Sequence, residues 1–135
     1  MSTGRMILAV LAGAAVWAAL WIGGTLGAAA LVPSALPTGQ PVTNGATLAA
    51  LIVYSVVLSV LAGWLTATVA SRNPMPAVWA LAILQLALGI GIEVSAWNMT
   101  PVWYHLVFLA LLVPATVYGG RLRARRRPVH AGLTA

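Results

Sequence analysis

Charge is what this sequence lacks, and that lack limits its folds more than any motif does. Seven residues are Arg, one is Glu, and none is Lys or Asp. Charged residues are 6% of the chain and hydrophobic ones 61%, where a soluble domain carries about 25% charge. A soluble fold of 135 residues could not cover its surface with so few charges. A bilayer removes that requirement, because lipid solvates the outer apolar surface. Uncharged apolar runs of about 20 residues then read as membrane-crossing helices.

Four such runs are present. The first extends from Met6 to Val32, with Arg5 before it and Pro33 and Pro37 after it. Its opening resembles a secretory signal, with one Arg, apolar residues and then Ala28-Ala29-Ala30. It is longer than the about 7–15 apolar residues of such signals and is expected to be a retained helix. Pro33, Pro37 and Pro41 make the next segment a loop, closed by an Asn44-Gly45 turn signal. The second run spans about 46–70, and Ser71-Arg72-Asn73-Pro74 breaks it. The third runs over about 77–97 and ends at Asn98-Met99-Thr100-Pro101. Thr100 is expected to cap the fourth helix, with Pro101 in its first position, where a missing N–H costs nothing. That helix, about 101–119, is expected to end at Gly119-Gly120. Pro114 inside it frees the carbonyl of Ala110 and predicts a kink. A basic tail, 121–135, follows.

Arginine placement gives the orientation, because positive residues stay on the cytoplasmic side. Arg5 precedes the first span, Arg72 lies between the second and third, and Arg121, Arg123, Arg125, Arg126 and Arg127 follow the fourth. The other two loops hold no Arg. The expected fold is an all-α polytopic membrane protein, a four-transmembrane-helix bundle with both termini cytoplasmic. Trp97, Trp103 and Tyr104 gather at the far end, as an interfacial aromatic belt would.

Helices in lipid associate by close packing at small residues. Ala15, Ala19, Gly23 and Gly27 form one stripe at four-residue spacing, and Ser55, Ser59, Gly63 and Ala67 form another. Both fit packing inside the bundle, and either also fits a seam between two copies.

Polar residues inside the spans are few. Glu93 is the only acid, about one turn inside Trp97. It lies six residues before Met99, and His105 lies six residues after it. In an antiparallel hairpin, residues equidistant from the turn share a depth, so Glu93 and His105 are expected to meet. Such a pair serves a structural clasp, a proton relay or a cation site. Asn98 and Tyr104 are close enough to join it, though both read first as interfacial residues. Gln85 lies near the middle of the third span, and Gln85, Gly89 and Glu93 form a stripe that fits either an interhelical bond or a path towards the outer surface. Two residues are too few for a metal site in one chain. With no cysteine, thiol chemistry is excluded, and no cofactor is implied.

The five arginines of 121–127 read as a topology determinant and a contact for anionic lipids. No aromatic platform or folded domain follows them, which disfavours nucleic acid. His130 has no visible partner in the sequence.

Arg72-Asn73-Pro74, Pro101-Val102-Trp103-Tyr104-His105, Pro114 and Gly119-Gly120-Arg121-Leu122 resemble the turns and belts of uncharacterised small four-span bacterial inner-membrane proteins. The resemblance covers roughly the C-terminal half, implies a bacterial inner membrane and implies no catalytic residues. Small multidrug-transporter-like proteins resemble the chain in length and span number, but their essential Glu belongs to the first span. Here the acid stands in the third.

The function expected from these features is an accessory or structural subunit of a membrane assembly. Its partners would be the bilayer, anionic lipids, a second copy or a larger membrane protein. The alternative is an oligomeric transporter or channel, proton or cation coupled through Gln85, Glu93 and His105, with a holin-like pore as a variant. An enzyme is not expected, because no nucleophile or phosphate cradle accompanies Glu93 and His105.

Overall fold

Ser2 starts the first helix by accepting the amide of Arg5 on its hydroxyl, as an N-cap does. Helix α1 then runs unbroken over Thr3–Leu31. The computed structural model describes residues 2–37, 39–70 and 72–126. Among them are three further long helices, α2 (Gly45–Ala70), α3 (Met75–Ser95) and α4 (Val102–Arg125), and no strand. All four are long and apolar enough to cross a membrane. The shortest, with 21 residues, reaches about 31 Å, enough for a hydrocarbon core of about 30 Å. Large apolar side chains such as Leu26, Val53, Ile83 and Leu106 point outward from the bundle.

Two turn expectations change. Asn44 is the cap of α2, because its side-chain oxygen accepts the amides of Ala46 and Thr47. Gly119 and Gly120 do not end α4, which continues to Arg125. A Cβ on Gly119 would overlap the carbonyl of Val60, and one on Gly120 would press into Val78. These glycines therefore let α4 approach α2 and α3 closely. Gly63 repeats the device from the α2 side, where a Cβ would overlap the Thr116 carbonyl.

α2 lies at the centre of the packing and touches the other three helices. Ser55, Ser59, Gly63 and Ala67 are all buried, so this stripe packs inside the bundle. The stripe of α1 does not. Ala15, Ala19 and Gly23 are exposed, and nothing approaches the Cβ positions of Gly23 or Gly27. The inward face of α1 is Ala9, Gly13 and Trp17. The two sets cannot both face the core. Ala15 follows Gly13 by two residues, and two residues turn a helix by about 200°.

Trp17, Leu58, Ala62, Leu81, Phe108 and Leu112 form the main core. Trp21 extends it by stacking on Tyr54 (5.8 Å between centroids) and tilting against Phe108 (5.4 Å). The Tyr54 hydroxyl donates to the Leu20 carbonyl, which pins α1 to α2.

Arg5 donates to the Val69 carbonyl, and Arg123 donates to the Thr68 hydroxyl at 3.0 Å. The start of α1 and the ends of α2 and α4 therefore meet at one end of the bundle. At the other end, the Val42 amide donates to the Met99 carbonyl at 2.7 Å. This ties the α1–α2 loop to the α3–α4 turn.

Candidate functional site

The third helix ends earlier than the hydropathy suggests. α3 stops at Ser95, and Trp97–Met99 form a single 3-10 turn. That turn folds the chain back over the last buried turn of α3 and the first of α4. Glu93 faces inward from α3, and His105 faces inward from α4. The His105 Nδ1 and a Glu93 carboxylate oxygen are hydrogen-bonded.

The rest of the imidazole is enclosed by the connecting turn. Its Nε2 lies 2.9 Å from the Trp97 carbonyl oxygen and 3.2 Å from the Thr100 hydroxyl. A carbonyl can only accept, so this contact places a proton on Nε2. The Nδ1–carboxylate contact then holds one more proton, either as imidazolium with carboxylate or as neutral imidazole with carboxylic acid. Nothing else on the ring is left unpaired. The Trp97 indole covers the ring face in parallel, and the Tyr104 ring stands edge-on at 6.3 Å. His105 is completely buried, and Glu93 is 6% exposed.

Two expectations are corrected here. Thr100 does not cap α4, whose preceding residue is Pro101 with no side-chain cap; its hydroxyl turns to the imidazole instead. Tyr104 is not in the outer belt but buried against Phe108, 5.9 Å between centroids. Trp103 remains exposed, and so does Asn98, which stays outside the pair.

Gln85 is fully buried and accepts a hydrogen bond from the Thr116 hydroxyl. The stripe from Gln85 to Glu93 is closed between them. The space a side chain would occupy at Gly89 is filled by Leu112 and Leu109, with Phe108 behind them. Three buried polar atoms have no partner among the described residues: Trp17 Nε1, Ser59 Oγ and Gln85 Nε2. They share a level. Gly13 faces Ala62 and Leu81, so Trp17, one turn further on, lies beside the turns holding Ser59 and Gln85. No sequence pattern singled out Thr116 or Trp17 for this layer, because Thr and Trp are common in membrane helices for other reasons.

The arginines divide into two groups. Arg123 bonds Thr68, and the Arg126 guanidinium lies 5.3 Å from the centre of the Trp64 ring. Arg121 and Arg125 face a cleft between α3 and α4 that Trp79 and Tyr118 also line. Arg127, His130 and the rest of the tail lie outside the described residues, as does Ser71. Among the described residues, no group of three or more His, Asp or Glu side chains stands close enough to hold a metal.

Comparison with protein families, curated proteins and solved structures finds no match to the chain.

Proposed function

We propose that this chain is an accessory or structural subunit of a membrane assembly. The setting is a bacterial inner membrane, with both termini cytoplasmic, an orientation supported by the arginines of 5, 72 and 121–127. The observation that carries the reading is the use of Glu93. The one acid of the chain is bonded to His105, whose other nitrogen is held by the Trp97 carbonyl and the Thr100 hydroxyl. An intramembrane acid is a functional candidate by default, and a wet cavity or open path beside it would favour that reading. Here Leu109 and Leu112 fill the Gly89 gap on the way to Gln85. The arrangement supports a clasp that fixes the α3–α4 hairpin and leaves the outer surfaces free to meet a partner.

Two measurements test this. Affinity purification from native membranes is expected to recover a larger membrane protein in fixed proportion. Glu93→Gln, reconstituted in vesicles, is expected to lose thermal stability and leave proton flux at the level of empty vesicles, as in the parent protein. Proton-coupled uptake by the parent that Glu93→Gln abolishes would replace the accessory reading with the transporter one.

A further inference from the structure

At the arginine-bearing end, one side of α4 and Trp79 of α3 form an open cleft of about 400 Å³. Its lining is graded along the helix axis. Arg121 and Arg125 stand at the rim, one turn apart on the same face of α4. Trp79 and Tyr118 flank it below them, both about half exposed. Val113 and Pro114 form the deep end. Val113 precedes Arg121 by eight residues, which is about 12 Å along the helix towards the middle of the bundle. Charge, aromatic rings and apolar wall thus follow one another in the order of a phospholipid's phosphate, glycerol region and upper acyl chain.

The charge has no partner among the described residues. Glu93, the only acid, sits at the opposite end of α3. Arg123 and Arg126 are held by Thr68 and Trp64. Arg121 and Arg125 make no hydrogen bond or ion pair among the described residues. Among the described residues no acid faces them, so an anionic group from the bilayer can occupy the rim.

We propose that this cleft binds one anionic phospholipid, with its phosphate between the Arg121 and Arg125 guanidinium groups and an acyl chain along Val113 and Pro114. Guanidinium suits that task because its planar fork bonds phosphate oxygens in pairs. The proposal is independent of the accessory role and needs only the membrane fold.

The test uses the full-length chain in detergent and native mass spectrometry with phosphatidylglycerol or phosphatidylcholine added. Phosphatidylglycerol is expected to be retained in preference to phosphatidylcholine, and millimolar inorganic phosphate is not expected to displace it. Arg121→Gln with Arg125→Gln is expected to weaken phosphatidylglycerol binding by about tenfold or more. Arg123→Gln with Arg126→Gln removes the same charge and is expected to leave it nearly unchanged. Val113→Trp keeps every charge but fills the deep end, and is expected to weaken binding too. Equal losses from the two arginine pairs would show a diffuse charge effect and overturn the site. So would equal retention of phosphatidylcholine, displacement by free phosphate, a second copy bound in place of lipid, or unchanged binding by Val113→Trp.

Discussion

The Trp97 indole lies flat on the His105 imidazole, with centroids 4.2 Å apart and planes within 9° of parallel. The same residue's carbonyl accepts from His105 Nε2. One residue of a short turn therefore fixes both the face and the edge of the ring, and through it the position of Glu93. The turn is itself held from behind by the Val42 amide on the Met99 carbonyl.

This stack makes Trp97→Ala a test of the turn. The substitution keeps the carbonyl contact and removes the ring, so the expected loss is about 1–2 kcal/mol of unfolding free energy. Trp97→Phe restores a stacking face and is expected to recover at least half of that. Denaturant unfolding in micelles measures both. A loss below about 0.3 kcal/mol for Trp97→Ala, within the scatter of surface substitutions, would mean that the stack does not hold the imidazole.

The Glu93–His105 contact predicts an asymmetry between substitutions. Glu93→Ala leaves Nδ1 with only the Thr100 hydroxyl, 3.5 Å away, in a buried site, and His105→Ala leaves a carboxyl group without a partner. Each is expected to cost about 3 kcal/mol, the usual result of breaking a buried pair from one side. Glu93→Gln can still bond Nδ1 through its amide and is expected to cost less than half as much. In a double-mutant cycle with alanines, the coupling should exceed the about 0.6 kcal/mol typical of hydrogen bonds between membrane helices. Additive losses would show that the two side chains do not act together.

The glycines divide into those that admit a neighbour and those that do not. At Gly63 and Gly119 an added methyl meets backbone atoms of the facing helix, which cannot yield without moving α2 and α4 apart. Gly63→Ala and Gly119→Ala are each expected to destabilise by about 2 kcal/mol or more. At Gly23 and Gly27 the space is open, and alanine is the better helix former by about 1 kcal/mol. Gly23→Ala and Gly27→Ala are therefore expected to be neutral or stabilising, measured by the same unfolding curves. Marked destabilisation at Gly23 would show that the outer face of α1 is packed against another chain.

What was legible in the sequence follows from where contrast exists in it. Prolines, turns and the placement of Arg5, Arg72 and the Arg121 cluster stand out against apolar surroundings, and they mark four helices and one basic end. The Glu93–His105 contact was legible because a tight hairpin fixes depth by counting residues from Met99. Rotation of α1 was not legible. Its residues are apolar or small on every side, so Ala15-Ala19-Gly23-Gly27 and Ala9-Gly13-Trp17 look equally suited to packing. In a soluble helix the polar face would have decided between them; lipid removes that signal. Gly119-Gly120 looked like a helix end for a related reason. A glycine that stops a helix and one that lets another helix close in are the same letter, and only the Val60 carbonyl and the Val78 side chain facing them tell the roles apart.

The buried layer at mid-bundle yields the last prediction, in which two losses partly cancel. Thr116→Val keeps the shape of the side chain and removes the hydroxyl that Gln85 accepts from. Gln85 would then have neither its oxygen nor its Nε2 paired among the described residues, and a cost of about 1–3 kcal/mol is expected. Gln85→Leu alone strands the Thr116 hydroxyl, although that group can turn to a carbonyl of its own helix, so a smaller cost is expected. Combining Gln85→Leu with Thr116→Val removes both partners and the orphan amide together. The double variant is expected to be more stable than Thr116→Val, and within about 1 kcal/mol of the parent. Unfolding in micelles again supplies the numbers. If the double variant instead loses the sum of the single costs, Gln85 and Thr116 do not act as a pair, and the bond between them is not what makes either single variant costly.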